Sequence, residues 1–192
     1  MAGLTLMAPA KINLRLLVGP RGDDGYHPLR SLMVALDAPC DRVRVETAPE
    51  RAVVCPGIEG PANLAWTALD ALEREVGRPL PLRVEIAKAI PAQAGLGGGS
   101  SDAAAVLVGA DRLLRLGLGV ARLERVAARV GSDVPFFVRG GAQWAEGRGE
   151  EGGEACSGGE DANLHGGSSV GQVGESRDAG QPVRSARSKP PE

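Results

Sequence analysis

The 192-residue sequence has few aromatic residues, which make up 3% of it, and only three cysteines and two histidines. Three cysteines that lie far apart cannot build a disulfide scaffold, and without a CxxC pair or a histidine cluster they do not match a zinc site. No stretch approaches the roughly 20 apolar residues of a transmembrane helix. The first ten residues lack the charged start and apolar core of a secretory signal, so we expect a reduced, cytoplasmic protein.

The sequence also lacks a large excess of either positive or negative charge. The sequence contains 22 basic and 24 acidic residues, which give a formal net charge of −2. General nucleic-acid binders and proteins of anionic membrane surfaces usually carry a basic excess. We therefore expect neither a nucleic acid nor a membrane as the partner.

The composition changes near Glu150. Residues 1–150 alternate apolar segments with turn signals, whereas residues 151–192 contain no aromatic residue and are rich in Gly, Ser, Glu and Pro. Ordering a residue costs about 1–2 kcal/mol, and this segment has little apolar surface with which to offset that cost. We therefore predict a globular domain over residues 1–150 and a disordered low-complexity tail over residues 151–192.

Within the first region, strands come first and a mixture of helices and strands follows, which favours an α+β fold. Alternation of apolar and polar residues predicts strands at 11–18, 31–36, 41–47, 51–55, 82–87 and 141–146. Helical spacing predicts helices at 63–76, 101–116 and 120–130, the first capped by Asn63 and ended by Gly77. In the first strand, Ile12, Leu14, Leu16 and Val18 are expected to share one half-buried face.

The strongest functional signal is a glycine-rich segment between a predicted strand and a predicted helix. It consists of Pro91, Ala92, Gln93, Ala94, Gly95, Leu96, Gly97, Gly98, Gly99, Ser100 and Ser101. Glycines let backbone N–H groups converge on an anion, and the start of the following helix adds its unpaired N–H groups and the positive end of its dipole. No lysine follows the last glycine, which excludes a Walker A loop, and Ser100 replaces the third glycine of a Rossmann fingerprint. A flexible linker would not need the flanking strand and amphipathic helix, so we predict phosphate binding.

Three further segments are weaker signals. Lys11 and Asn13 lie two positions apart on a strand and therefore point to the same face. A cation and an amide on one face suit an anionic or hydroxylated ligand, but the spacing alone favours an ordinary solvated face. Asp133 follows a predicted helix end and precedes two phenylalanines, which fits a turn residue or a partly desolvated base. Tyr26 offers a ring for stacking a base and His27 a switchable hydrogen-bonding group, although such a pair in a loop is more often plain surface.

Together and in this order, the four segments resemble the GHMP kinase superfamily. Its phosphate loop has the pattern Pro-x₃-Gly-Leu-Gly-x-Gly-Ser-Ser, which residues 91–101 match. Residues 9–14, 24–27 and 131–137 form a narrower combination, similar to the branch of the superfamily that acts on diphosphocytidyl-methylerythritol. The resemblance covers residues 6–150.

The resemblance implies a small-molecule kinase that uses ATP and Mg²⁺ to phosphorylate the 2-hydroxyl of 4-diphosphocytidyl-2-C-methyl-D-erythritol, in the non-mevalonate route to isoprenoids. It makes Asp133 the base and Lys11 the cation that orients the hydroxyl and stabilises developing charge. It assigns Asn13 to the methylerythritol, Tyr26 and His27 to the cytosine, and residues 91–101 to the ATP phosphates, without naming a metal ligand. The implied fold is a domain like ribosomal protein S5, followed by a ferredoxin-like domain.

The pattern of the family stops near Glu150, and the second glycine-rich motif of the ferredoxin-like domain has no match in residues 151–192. We interpret this as a reading-frame change or a mispredicted gene end, and we expect poor activity and exposed apolar surface. A homoserine- or mevalonate-type kinase and a non-catalytic nucleotide-binding remnant remain alternatives. An RNA-binding module is not supported, because residues 1–150 contain 18 basic and 17 acidic side chains.

Overall fold

The computed structural model describes residues 3–21, 25, 27–58, 60–149 and 163–165. Within these ranges the chain combines one six-stranded sheet with four α-helices, which confirms the predicted mixed fold. The strands are β1 (Gly3–Val18), β2 (His27–Thr47), β3 (Ala52–Val54), β4 (Leu82–Ala87), β5 (Ala142–Gly149) and β6 (Asn163–His165). The helices are α1 (Leu64–Val76), α2 (Gly98–Leu114), α3 (Gly119–Ala128) and α4 (Val134–Arg139), with a 3₁₀ turn at Gly60–Ala62.

Strand β2 is the central strand of the sheet and pairs with three other strands. It pairs antiparallel with β1 along one edge, while β5 and β4 share its other edge, β5 opposite residues 27–34 and β4 opposite residues 42–47. The sequence predicts two separate strands here, at 31–36 and 41–47. The structure has one strand, since β1 continues the pairing at Cys40 and Asp41. Pairing with a long neighbour therefore outweighs the predicted break.

Helix α1 has the bounds that its capping residues predict. Asn63 lies in the extended region, and its Oδ1 accepts a hydrogen bond of 2.9 Å from the backbone N–H of Ala65. Gly77 ends the helix in the left-handed conformation at φ 70°. Both ends follow the usual preference for Asn as an N-cap and Gly as a C-terminal cap.

Helix α2 lies close to the sheet, and this closeness positions the glycine-rich segment. A Cβ on Gly109 would lie 2.9 Å from Leu6 Cδ1 on β1 and 3.1 Å from Val45 Cγ2 on β2. Half of the other buried positions of the helix are alanines, at Ala103, Ala104, Ala105 and Ala110. Small residues allow this approach of helix to sheet, so the start of α2 lies next to the middle of β1.

The second half of β1 differs from its prediction. The side chains that should form its buried face are exposed by between 37% and 64%: Ile12, Leu14, Leu16 and Val18. This segment of the strand therefore has no buried face. A register shift between Asn13 and Arg15 also breaks the alternation, because Ile12 lies opposite Val34 whereas Leu16 lies opposite Ser31. Val34 and Ser31 are three apart on β2 and point to opposite faces. Ile12 and Leu16 therefore do not share a face.

Other predicted bounds shift by a few residues, and the structure contains elements that the sequence does not predict. Helix α2 begins at Gly98 rather than Ser101, and α3 ends at Ala128. Helix α4 and the first eight residues of β1 have no counterpart in the prediction. Strand β6 pairs with Trp144, Ala145 and Glu146, in a segment predicted to be disordered; the rest of that predicted tail lies outside the described residues. None of the described helices has both the length and the hydropathy needed to cross a membrane.

Candidate active site

The glycine-rich segment bends tightly and then enters helix α2. Gln93, Gly95 and Gly97 have positive φ values of 57°, 70° and 70°. Gly97 precedes the helix, so the last four residues of the predicted loop, Gly98 to Ser101, form its first turn. The first N–H groups of a helix have no acceptor within that helix, which leaves them available to an anion in front of the bend.

Gly97 is the point at which three distant segments meet. The backbone N–H of Lys11 on β1 donates to the carbonyl of Leu96 over 2.9 Å. A Cβ on Gly97 would lie 2.9 Å from Phe137 Cζ and 3.0 Å from Lys11 Cγ. Only a glycine fits between this aromatic ring and this lysine stem, and only glycine adopts φ 70° readily. The bend is therefore held against β1 on one side and against α4 on the other.

Lys11 lies at the centre of this group. It is only 7% exposed, so the solvated face favoured by its spacing is wrong for Lys11, although Asn13 on the same strand is exposed. Its Nζ donates to Asn13 Oδ1 over 3.0 Å and lies 3.2 Å from Asp133 Oδ2. The structure thus brings Lys11, Asn13, Asp133 and the glycine bend together.

Asp133 lies in the turn before α4 but does not act as a typical helix cap. In the described structure its side chain makes no capping hydrogen bond, although the residue occupies the N-cap position and Pro135 follows in the first turn. The carboxylate is instead paired with Lys11, and its side chain is 22% exposed. Phe136 and Phe137 behind it pack edge to face, with ring centroids 4.9 Å apart. Asp133 is therefore a turn residue whose carboxylate remains available for chemistry.

Of the two residues assigned to the cytosine, His27 lies at the start of β2, away from Lys11. Tyr26 lies outside the described residues. The Nδ1 of His27 donates to the carbonyl of Gly19 over 2.9 Å, which fixes the ring at the start of β2. Ala35, the partner of Lys11, follows His27 by eight positions on β2, a distance of about 27 Å along a straight strand. An extended ligand therefore suits a contact with both ends.

Sequence reasoning missed a buried ionic group behind the bend, which we call the Asp41–Lys88–Asp102 cluster. Asp41 is fully buried, and its Oδ1 accepts from the backbone N–H groups of Ala89 and Ile90 over 2.5 and 2.8 Å. Lys88 Nζ donates to Asp41 Oδ2 and, over 2.7 Å, to Asp102 Oδ2. The sequence signal is faint: an aspartate just after the first turn of a largely apolar helix, and a lysine just after a strand.

The cluster alters the protonation of its members. Burial raises the pKa of Asp102 from 3.8 to about 7; Lys88 opposes this rise by hydrogen bonding and charge, and the neighbouring Asp41 adds to it. Burial lowers the pKa of Lys88, but its hydrogen bonds to Asp102 and Asp41 outweigh burial and raise its pKa above 10.5. Lys88 is therefore charged at neutral pH, while Asp102 is divided between its two forms.

The family model of the GHMP kinases N terminal domain matches residues 63–141, which include the glycine bend, α2 and Asp133. The chain carries a GHMP kinase N-terminal domain.

Two curated relatives and one solved structure illustrate what the chain is similar to. The 4-diphosphocytidyl-2-C-methyl-D-erythritol kinase of Anaeromyxobacter dehalogenans strain 2CP-1 is 51% identical over 153 residues, which are 77% of this chain and 48% of that protein. The protein of the same name from Geobacter metallireducens is 49% identical over 156 residues, or 78% and 55%. A crystal structure of 4-(cytidine 5'-diphospho)-2C-methyl-D-erythritol kinase superposes with a TM-score of 0.65 at 39% identity and covers 76% of this chain and 52% of that one. The chain thus spans about half the length of the relatives that it matches.

The tight fit at Gly97 yields a prediction with an internal control. Gly97→Ala and Gly95→Ala both place a side chain at φ 70°, but a Cβ on Gly95 would meet nothing within 4 Å. We expect Gly95→Ala to lose about 1–2 kcal/mol of unfolding free energy from the left-handed backbone alone. Gly97→Ala should lose a further 1–3 kcal/mol or so, because Phe137 and Lys11 must move. Urea unfolding measures both, and equal losses would contradict the tight fit.

The protonation of Asp102 predicts how stability depends on pH. Between about pH 4 and 7 the folded protein keeps a proton that the unfolded chain has lost, so unfolding becomes easier as pH rises through this window. The loss is at most about 4 kcal/mol, since one pKa unit corresponds to about 1.4 kcal/mol. Asp102→Asn does not titrate and should lack this fall. Urea unfolding of both proteins at pH 4.5, 6, 7 and 8 tests it, and parallel profiles would contradict it.

Proposed function

We propose that this domain is the nucleotide- and substrate-binding half of a kinase that transfers the terminal phosphoryl group of ATP to the 2-hydroxyl of 4-diphosphocytidyl-2-C-methyl-D-erythritol. The observation that carries the proposal is the Lys11–Asp133 pair, 3.2 Å apart, beside the glycine bend that leads into α2. The names of relatives at 49–51% identity support this choice of substrate.

The bend and the start of α2 fit the phosphates of ATP. Residues 95–101 provide backbone N–H groups and the positive end of the α2 dipole, and glycine leaves space for close contact. In the described part of the chain no group of three or more Asp, Glu, His or Cys side chains could hold a metal ion. This fits Mg²⁺ held mainly by the phosphates and water, where the ion neutralises their charge. The chain contributes the shape and the N–H donors.

Asp133 and Lys11 suit the two roles that the reaction requires. Asp133 Oδ1 or Oδ2 accepts the proton of the attacking hydroxyl, as a general base must lie within hydrogen-bond distance of that group. An ammonium group has three donors, and Lys11 uses one of them on Asn13 and directs another toward Asp133. Its remaining donor can hold a phosphate oxygen. Because Lys11 is buried, its charge acts on the reacting group with little screening by water.

The distance to His27 suits an extended substrate. In this proposal Asn13 contacts the methylerythritol near Lys11, while Tyr26 and His27 bind the cytosine at the start of β2. The diphosphate of the substrate would bridge the two ends. The hydrogen bond from His27 to Gly19 fixes the ring in one orientation, which favours selective recognition of a base.

We expect phosphoryl transfer to require the half of the protein that the longer relatives have in addition. Two observations support this expectation: the chain covers 48–55% of those relatives, and apolar side chains on both faces of β1, among them Ile12 and Leu16, are exposed just after Lys11. Exposed apolar surface of this kind usually marks a contact with another element. The same observations favour a second candidate, a nucleotide-binding remnant without turnover.

A chimeric protein tests the proposed function. Residues 1–149 are joined to the remaining half of the Anaeromyxobacter dehalogenans relative, and ADP release is measured with the cytidyl substrate. We expect turnover that depends on this substrate, and Asp133→Asn should lower kcat by roughly 10²–10⁴ with little change in KM. Glu124→Gln, which removes an exposed pairing with Arg139 on α4, is the matched control and should leave kcat unchanged.

Three results would contradict the proposal. Turnover of homoserine or mevalonate in place of the cytidyl substrate would favour another kinase of the superfamily. A folded chimera that binds ATP without turnover would favour the remnant. Full activity of Asp133→Asn would remove the base from its role.

A further inference from the structure

The Asp41–Lys88–Asp102 cluster connects the two ends of the glycine bend. Lys88 lies directly after β4 and three residues before Pro91, whereas Asp102 directly follows Ser101 in α2. Asp41, on β2, holds the first end through the N–H groups of Ala89 and Ile90. Lys88 then joins that carboxylate to Asp102 at the second end. The segment that follows β4 and the start of α2 are therefore both linked to the ammonium group of Lys88.

The charges of the cluster do not suit a direct phosphate ligand. One ammonium lies between two carboxyl groups, so the cluster has no excess of positive charge with which to attract an anion. The Nζ of Lys88 lies 3.2 Å from the position that a Cβ on Gly98 would take, directly behind the first residue of α2. Asp41 and Asp102 are buried, which strengthens the hold of their carboxylates on Lys88. The geometry suits the positioning of the bend.

We propose that Lys88 and Asp102 are positioning residues for the phosphate-binding bend: by fixing the start of α2 to the end of β4, they set the direction of the N–H groups at Gly97, Gly98 and Gly99. The identity of the ligand rests on the proposed function, but the ordering of the bend does not. Removing the cluster should loosen residues 91–101 even without nucleotide.

Asp102→Ala is the main test variant, because it leaves Lys88 paired with Asp41 and exchanges a buried carboxyl for a small residue that favours helix. Asp102→Asn is the conservative variant. Asp102 uses Oδ2 on Lys88, whereas Oδ1 has no protein partner in the described structure, so an amide can keep one oxygen on Lys88. Arg83→Gln is the control. It removes an exposed ion pair with Glu85 on β4, the strand that precedes the bend.

Two measurements on the full chain form the test: amide hydrogen exchange of residues 91–101 without ligand, and the affinity for Mg–ATP by calorimetry. In Asp102→Ala we expect exchange of the Ser101 amide, which donates to Gly97, to rise about tenfold, with a similar loss of affinity. Asp102→Asn and Arg83→Gln should stay within about threefold of the wild type on both measurements.

The outcomes separate this inference from the proposed function. Unchanged exchange in Asp102→Ala overturns the positioning role, whether or not ATP binds. Faster exchange in every helix alike also overturns it, since the cluster would then stabilise only the whole fold. A large loss of affinity in Lys88→Met with unchanged exchange in Asp102→Ala makes Lys88 a phosphate ligand instead. If the bend loosens as expected while the wild type binds no ATP, positioning stands and the proposed function fails.

Discussion

The contact at Gly97 is the constraint on which the rest of the site depends. The bend can approach β1 and α4 only because no side chain is present there, and the stem of Lys11 and the ring of Phe137 occupy the space that a Cβ would need. The same approach brings the start of α2 beside Lys11, which in turn is paired with Asp133. The absence of a side chain at Gly97 thus lets the glycine bend lie against Lys11, which is paired with Asp133. A rigid arrangement of this kind is what the proposed phosphoryl transfer requires, since that reaction depends on positioning and electrostatics.

The exposed half of β1 gives the domain a second defining property. Exposed apolar side chains on both faces of this segment follow Lys11 and Asn13, so they lie next to the Lys11–Asp133 pair in the described structure. Asp133 is itself 22% exposed, and water at such a site weakens charge interactions by raising the local dielectric. Covering this surface would therefore strengthen the electrostatic effect of the pair.

Local signals predict some elements of this protein well and others poorly. Asn63 and Gly77 set the ends of α1 because capping is a short-range interaction, and the glycine bend is recognisable because its backbone conformation needs particular residues. Long-range contacts decide the rest. Pairing with β1 makes β2 one long strand where the sequence predicts two, and the ion pair of Lys11 with Asp133 joins residues that are far apart in the chain. The Asp41–Lys88–Asp102 cluster joins residues up to 61 positions apart, and no local pattern marks such a group.

The most direct measurement is a titration of the ¹⁵N-labelled chain with a magnesium complex of a non-hydrolysable ATP analogue, followed through its backbone amide resonances. The account predicts saturable shifts at Gly95, Gly97, Gly98 and Gly99 and at the neighbouring Lys11, while amides of α3 remain in place. Saturable shifts that avoid the glycine bend, or the absence of shifts at millimolar analogue, would contradict the claim that this bend and the Lys11–Asp133 pair form one nucleotide site.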